Sequence, residues 1–127
     1  MTVAAVVATV LLGVLLVFQF ALAAGAPLGA AAWGGQHPGV LPTGLRVASG
    51  ISGTAVYPLI ILYVLVSADL VQAGWLPGSG AGAMWVLAGF FTLSTLMNAA
   101  SRSKPERIWA PVSLAVAICC VVIATGL

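Results

Sequence analysis

Few side chains in this sequence could do chemistry, and most of them gather at one depth. Gln19, Arg46, Asn98, Arg102 and Glu106 stand at the ends of long apolar runs, and the only histidine, His37, lies in the stretch between the first two runs. An imidazole, an amide and two guanidinium groups converging on one point would suit an anionic lipid headgroup. A general base, however, needs a partner within hydrogen-bond reach. His37 has no second histidine to work with, so a bis-imidazole haem site is excluded. Asp69 is separate from this group. It falls inside the second apolar run near its far end, and an acid within a membrane span is by default a functional candidate. No basic residue is available on that side to pair with it, and the carboxyl end of a helix disfavours a negative charge. A hydrated Asp at the interface is the plain alternative to a proton-linked or substrate-linked role. The two cysteines, Cys119 and Cys120, are adjacent within an apolar run. They fit no common zinc pattern and point to different helical faces, so they read as apolar filling. No cofactor is expected.

The elements that must position these residues follow from composition. The chain is 62% hydrophobic and only 5% charged. A soluble domain carries about 25% charged residues, so this chain has too little polar surface to be one. Four apolar runs, at about 3–24, 47–71, 83–100 and 104–126, are each long enough at a 1.5 Å rise to cross roughly 30 Å of hydrocarbon. The predicted architecture is an all-α membrane protein, a single-domain bundle of four transmembrane helices. Ala21-Leu22-Ala23 has the small-x-small form of a signal-peptide cleavage site. No positive charge precedes the first run, and the run exceeds a signal core of 7–15 residues, so an uncleaved helix is expected.

Orientation follows from the basic residues. Only four are present: Arg46, Arg102, Lys104 and Arg107. Placing the 101–107 turn in the cytoplasm puts all four on that side and none on the other. The termini and the 72–82 loop then lie outside, an N-out/C-out topology. Trp33, Trp75, Trp85 and Trp109 fall in loops or near span ends, where an aromatic belt would hold them. There is no basic patch with interleaved aromatics, so nucleic acid is not an expected partner. The lipid bilayer is, together with a membrane-protein partner or further copies of the chain.

Local signals refine this picture. Ser103-Lys104-Pro105-Glu106 has the S-x-x-E form of a capping box, predicting that Ser103 and Glu106 cap the fourth helix. Pro58 predicts a kink in the second helix. Gly50, Gly53, Thr54 and Tyr57 share one face there, and small residues of this kind let another helix approach closely. In the third helix Ser94, Thr95, Asn98, Ser101 and Arg102 occupy one half of the helical wheel and should face protein or a cavity. The long first loop, 27–46, is uncharged except for Arg46, and lies on or dips into the interface. Its Pro38-Gly39 and Pro42-Thr43-Gly44 pairs predict turns.

The order of Gly25-Ala26-Pro27-Leu28-Gly29, Trp33-Gly34-Gly35-Gln36-His37, Val40-Leu41-Pro42 and Arg46, followed by Asn98-Ala99-Ala100-Ser101-Arg102-Ser103 and Glu106-Arg107, resembles a pattern in small four-span bacterial membrane proteins of unassigned function. The resemblance covers most of the chain. It implies a bacterial cytoplasmic membrane and one four-helix domain, and brings no activity with it. Small multidrug-resistance transporters fit less well, because they carry a glutamate within the first span and this first span has no acid. Thiol–quinone enzymes need separated cysteine pairs. The expected role is a structural or interaction subunit with its recognition surface on the cytoplasmic face. The alternatives are an oligomeric transporter or channel-like permease and, more distantly, an enzyme acting on lipid.

Overall fold

The computed structural model describes all 127 residues. Every regular element in it is helical. Helix α1 covers Thr2–Ala23, α2 covers Thr43–Ser67, α3 covers Ala81–Ala99 and α4 covers Pro105–Thr125. All four are long and apolar enough to cross a membrane.

In α1 no proline or charge interrupts the run. Its buried residues, Ala5, Ala8, Leu12 and Leu15, recur every three or four positions and form the face turned to the bundle. Val3, Val6, Val10, Val14 and Val17 are exposed around the opposite side. Apolar residues inside and outside alike are what a lipid-facing helix requires, since lipid is as apolar as the core.

The expected disturbance at Pro58 takes the form of a π-turn. Residues Ser52–Val56 widen the helix just before the proline, and the Tyr57 N–H donates to the Ser52 carbonyl five residues back. A proline has no N–H and crowds the carbonyl four residues earlier, here that of Thr54. One wide turn absorbs both effects. Gly53 lies within this turn and faces α1, where a Cβ would sit 3.4 Å from the Leu16 carbonyl oxygen. Gly50 and Gly53 of the small-residue face are thus spent on close packing against α1, while Thr54 is exposed.

Helix α2 also begins and ends earlier than predicted. It starts at Thr43, directly after Pro42, so Arg46 lies one turn inside it. It ends at Ser67, leaving Asp69 outside the helix, which corrects the expectation of an acid within the span. Asp69 adopts a left-handed φ of +59°, its N–H donates to the Val66 carbonyl, and the Leu70 N–H donates to the Leu65 carbonyl. This pair of bonds is a Schellman ending, with Asp69 at the position glycine usually takes. Asp tolerates that conformation better than most residues.

Helix α4 opens with a tight 3₁₀ turn, Pro105–Ile108, and continues regularly from Trp109 to Thr125. It lies along α3 for most of its length and also packs on α1, while α1 packs on α2. Helices α2 and α3 touch only sparingly. A core of buried residues from all four helices fills the half of the bundle nearest the chain termini, with Leu12, Val64, Met84, Val116 and Cys120 at its centre. Cys119 and Cys120 are both buried in this core as free thiols, in the place expected of apolar filling. At that end the Met1 amine donates to the Leu127 carbonyl at 2.9 Å.

Candidate binding cavity at the basic end

The opposite end holds all four basic residues and is built differently. Residues 24–42 form no long element. Two 3₁₀ turns, Gly29–Ala31 and Trp33–Gly35, fold them across the end of the bundle as a cap. Leu22 from α1 and Ala32 and Leu41 from the cap make a small buried cluster beneath it.

The cap is fastened by side chains that the sequence had suggested for another purpose. Glu106 Oε2 accepts the Gly34 N–H at 2.7 Å, and the Ser103 hydroxyl donates to the Ala30 carbonyl. No side chain caps α4. The predicted capping box is therefore not formed. The 3₁₀ turn satisfies early backbone groups locally, the Ser103 N–H is taken by the Ser101 hydroxyl at 3.2 Å, and Ser103 and Glu106 are free to bind the cap. Two tryptophans complete the attachment: Trp109 Nε1 donates to the Ala31 carbonyl at 2.9 Å, and Trp33 Nε1 donates to the buried Ser49 hydroxyl at 3.0 Å. The backbone must come very close here. A Cβ at Gly35, whose φ is +71°, would overlap Ser103, and one at Gly29 would overlap the His37 carbonyl oxygen.

Between the cap and the solid core lies a cavity of about 290 Å³. Phe18 and Gln19 of α1, Tyr57 and Ile60 of α2, Phe90, Phe91, Ser94 and Asn98 of α3, and Glu106, Trp109 and Ser113 of α4 line it, with Trp33 of the cap. Phe18 and Trp109 pack with ring centroids 4.7 Å apart. Val56 and Phe90 also line the cavity, yet they are 45% and 56% exposed. The mouth is therefore the seam between α2 and α3, which touch only sparingly. A wider polar basin beneath the cap shares Ser94, Asn98 and Glu106 with the cavity, so these three residues form the wall between them.

The six residues expected at this level divide in space. Gln19, Asn98 and Glu106 meet around the cavity. Arg102 is exposed and lines only the basin. Arg46 turns away, donating from Nε to the Ala23 carbonyl at 3.1 Å and closing the end of α1. The His37 ring is exposed on the cap; its backbone carbonyl is what packs, against Gly29. Of His37, Gln19, Arg46 and Arg102, only Gln19 lines the cavity and only Arg102 the basin, so the four do not share one pocket. Of the polar half of α3, Ser94 and Asn98 reach the cavity, while the Ser94 and Thr95 hydroxyls donate back to the Phe90 and Phe91 carbonyls of their own helix. Asp69 is exposed at the other end, far along the chain from any of these groups.

Of the two buried serines, sequence reasoning read Ser49 only as a small packing residue paired with Gly53 and missed Ser113 altogether. Each follows one helical turn or so from a residue that was singled out, Arg46 and Trp109. The spacing offered a signal, but a serine alone has no chemistry that would draw notice.

Compared with family models, curated proteins and solved structures, the chain matches none of them. The resemblance to small four-span bacterial proteins gains no support from these comparisons, and any functional reading has to rest on the residues themselves.

Glu106 dominates the electrostatics of the site. It is 8% exposed, and its hydrogen bond is to a neutral backbone group. Arg46 and Arg107 spend their Nε hydrogens on the Ala23 and Ser101 carbonyls, and Arg102 and Lys104 are exposed. Glu106 forms no ion pair, although Arg102 lines the same basin, and a buried carboxyl without one is costly at low dielectric unless something compensates it. The Gln19 Oε1 atom is also buried and accepts no hydrogen bond, although Tyr57 comes near it.

Proposed function

We propose that this chain is a small multi-pass protein of a bacterial cytoplasmic membrane, with its basic end in the cytoplasm and both termini outside. It acts as a non-catalytic structural or interaction subunit. The positions of Arg46, Arg102, Lys104 and Arg107 at one end support the orientation, since positive charge is retained on the cytoplasmic side. The observation that carries the function is the fastened cap. Nineteen residues without a long helix, 24–42, are held by Ser49, Ser103, Glu106 and Trp109, and yet expose Leu28, Trp33 and Val40. A fixed, apolar-tipped surface is suited to recognition. The bundle core offers no comparable reason to hold it there.

The test is a photo-crosslinking residue at Val40, with lipid-facing Val14 as control, followed by native mass spectrometry in nanodiscs. A stoichiometric protein adduct or homodimer through Val40 alone supports the subunit reading. An exclusively monomeric species with equal crosslinking at both positions contradicts it.

A second reading, an oligomeric transporter or permease, draws on the cavity at the α2–α3 seam, which a second copy could close. Within one chain the solid core stops any path beyond that cavity. Asp69, outside the helix and exposed, is a poor coupling acid, so Asp69→Asn is expected to leave any proton-linked flux in proteoliposomes unchanged. Abolition of flux would favour the transporter.

A further inference from the structure

We propose that the cavity at the basic end binds an amphiphile with an ammonium head and an apolar tail, taken up sideways from the bilayer through the α2–α3 seam. This goes beyond the subunit reading, which requires nothing to bind inside the protein.

The shape of the site sets the first condition. A volume of about 290 Å³ is near the lower end of ligand pockets, enough for a head and a few carbons. The mouth at Val56 and Phe90 lies between two apolar helices, so a longer tail leaves the protein into hydrocarbon. Entry from lipid selects a molecule that already resides there.

The lining sets the second. Its unused polar atoms include both acceptors and donors: the Gln19 and Asn98 amide groups and the Tyr57 and Ser113 hydroxyls have hydrogens to give, and the one formal charge among them is that of Glu106. Glu106 keeps one carboxyl oxygen beyond the oxygen bonded to Gly34, and Gln19 Oε1 is unpartnered. The Ser52 and Ser94 hydroxyl hydrogens are committed to the Ala48 and Phe90 carbonyls, leaving lone pairs. The indole N–H groups of Trp33 and Trp109 are committed as well, so these residues offer the cavity ring surface instead of donors. Aromatic rings around one carboxylate that has no ion pair ask for a head that carries positive charge and donates a hydrogen bond to Glu106. An ammonium does both, and aromatic faces attract it further. An anionic head would meet Glu106 with no basic residue inside the cavity to offset it. A neutral hydroxyl would satisfy the acceptors and leave the charge uncompensated.

The experiment uses the full chain in nanodiscs of zwitterionic lipid and three probes with one tail: dodecylamine, dodecanol and dodecanoate. Binding is read by quenching of tryptophan fluorescence against empty nanodiscs. Wild type is expected to bind the amine saturably, at least tenfold more tightly than the alcohol, and to show no saturable binding of the carboxylate. Glu106→Gln keeps an acceptor for Gly34 and is expected to lose the preference for amine over alcohol. Ser113→Leu, which fills the cavity and leaves the carboxylate in place, is expected to abolish saturable binding of both. Equal amine affinity in wild type and Glu106→Gln overturns the proposal, as does equal binding of amine and alcohol by wild type. Unaltered binding by Ser113→Leu also overturns it by placing the amine outside the cavity. None of these results bears on crosslinking at Val40, so this proposal and the subunit reading can fail separately.

Discussion

The two halves of this bundle are made from the same four helices and solve different problems. The terminal half is closed by side chains of similar kind: Ala5, Ala8, Leu12, Val64, Met84, Val116 and Cys120 interlock, and few polar atoms are left among them. The basic half is closed by a folded loop over a hollow, with Gln19, Asn98 and Glu106 around it. Small residues explain the first. Alanines on α1 and α3 allow near approach, and the many dispersion contacts that follow hold the helices together. The π-turn before Pro58 and the bulk of Phe18, Phe90, Phe91 and Trp109 explain the second, since large rings around a widened helix cannot close to the same density. Two buried side-chain atoms lack partners, and they divide between the halves. Gln19 Oε1 lines the cavity. Thr9 Oγ1 lies in the terminal half, and nothing in the structure explains it.

The largest contrast should appear when core volume is removed. Met84→Ala in the solid half is expected to cost about 3 kcal/mol, the typical penalty for a buried large-to-small change. Ile60→Ala enlarges a space that already exists and should cost less than about 1 kcal/mol. Unfolding equilibria in mixed micelles would read both, and equal losses would erase the distinction between the halves. Gly35→Ala comes next. The left-handed φ and the overlap with Ser103 should cost about 2 kcal/mol and loosen the cap, seen as a red shift of the Trp33 emission with little change in helix content. An unshifted spectrum would mean that the cap is not held through Ser103. Glu106→Ala leaves the Gly34 N–H without its acceptor and is expected to cost about 1–2 kcal/mol. Gln19→Leu acts on the hollow half in the opposite direction. Removing an unpartnered buried acceptor is expected to be neutral or stabilising by up to about 1 kcal/mol, and a clear destabilisation would show that Gln19 has a partner after all.

Much of the terminal half could be read in the sequence, because it follows from one-dimensional rules. Apolar length located the four helices to within a few residues. The habits of free cysteine located Cys119 and Cys120 in the core. The basic half was legible only in its inventory. Gln19, Asn98 and Glu106 were placed at one level, but nothing local told that Arg46 would close α1 or that His37 would contribute its carbonyl and leave its ring outside. The capping box shows why. Ser103 and Glu106 satisfy a local pattern, and the folded cap offers them Ala30 and Gly34, more than seventy residues away in the chain. A long-range competitor leaves no trace in the four residues of the motif. Asp69 is the converse case. Its local helix-ending geometry displaced it from a span that hydropathy alone had drawn too far.

Thiol labelling distinguishes a solid half from a hollow one. The native Cys119 and Cys120 lie in the solid half, and Ser94 lines the cavity and the basin. Wild type and Ser94→Cys would be treated with N-ethylmaleimide in nanodiscs and weighed intact. Wild type should gain no label and Ser94→Cys should gain one. Rapid labelling of the native thiols, or an Ser94→Cys protein that stays unlabelled, would contradict the account.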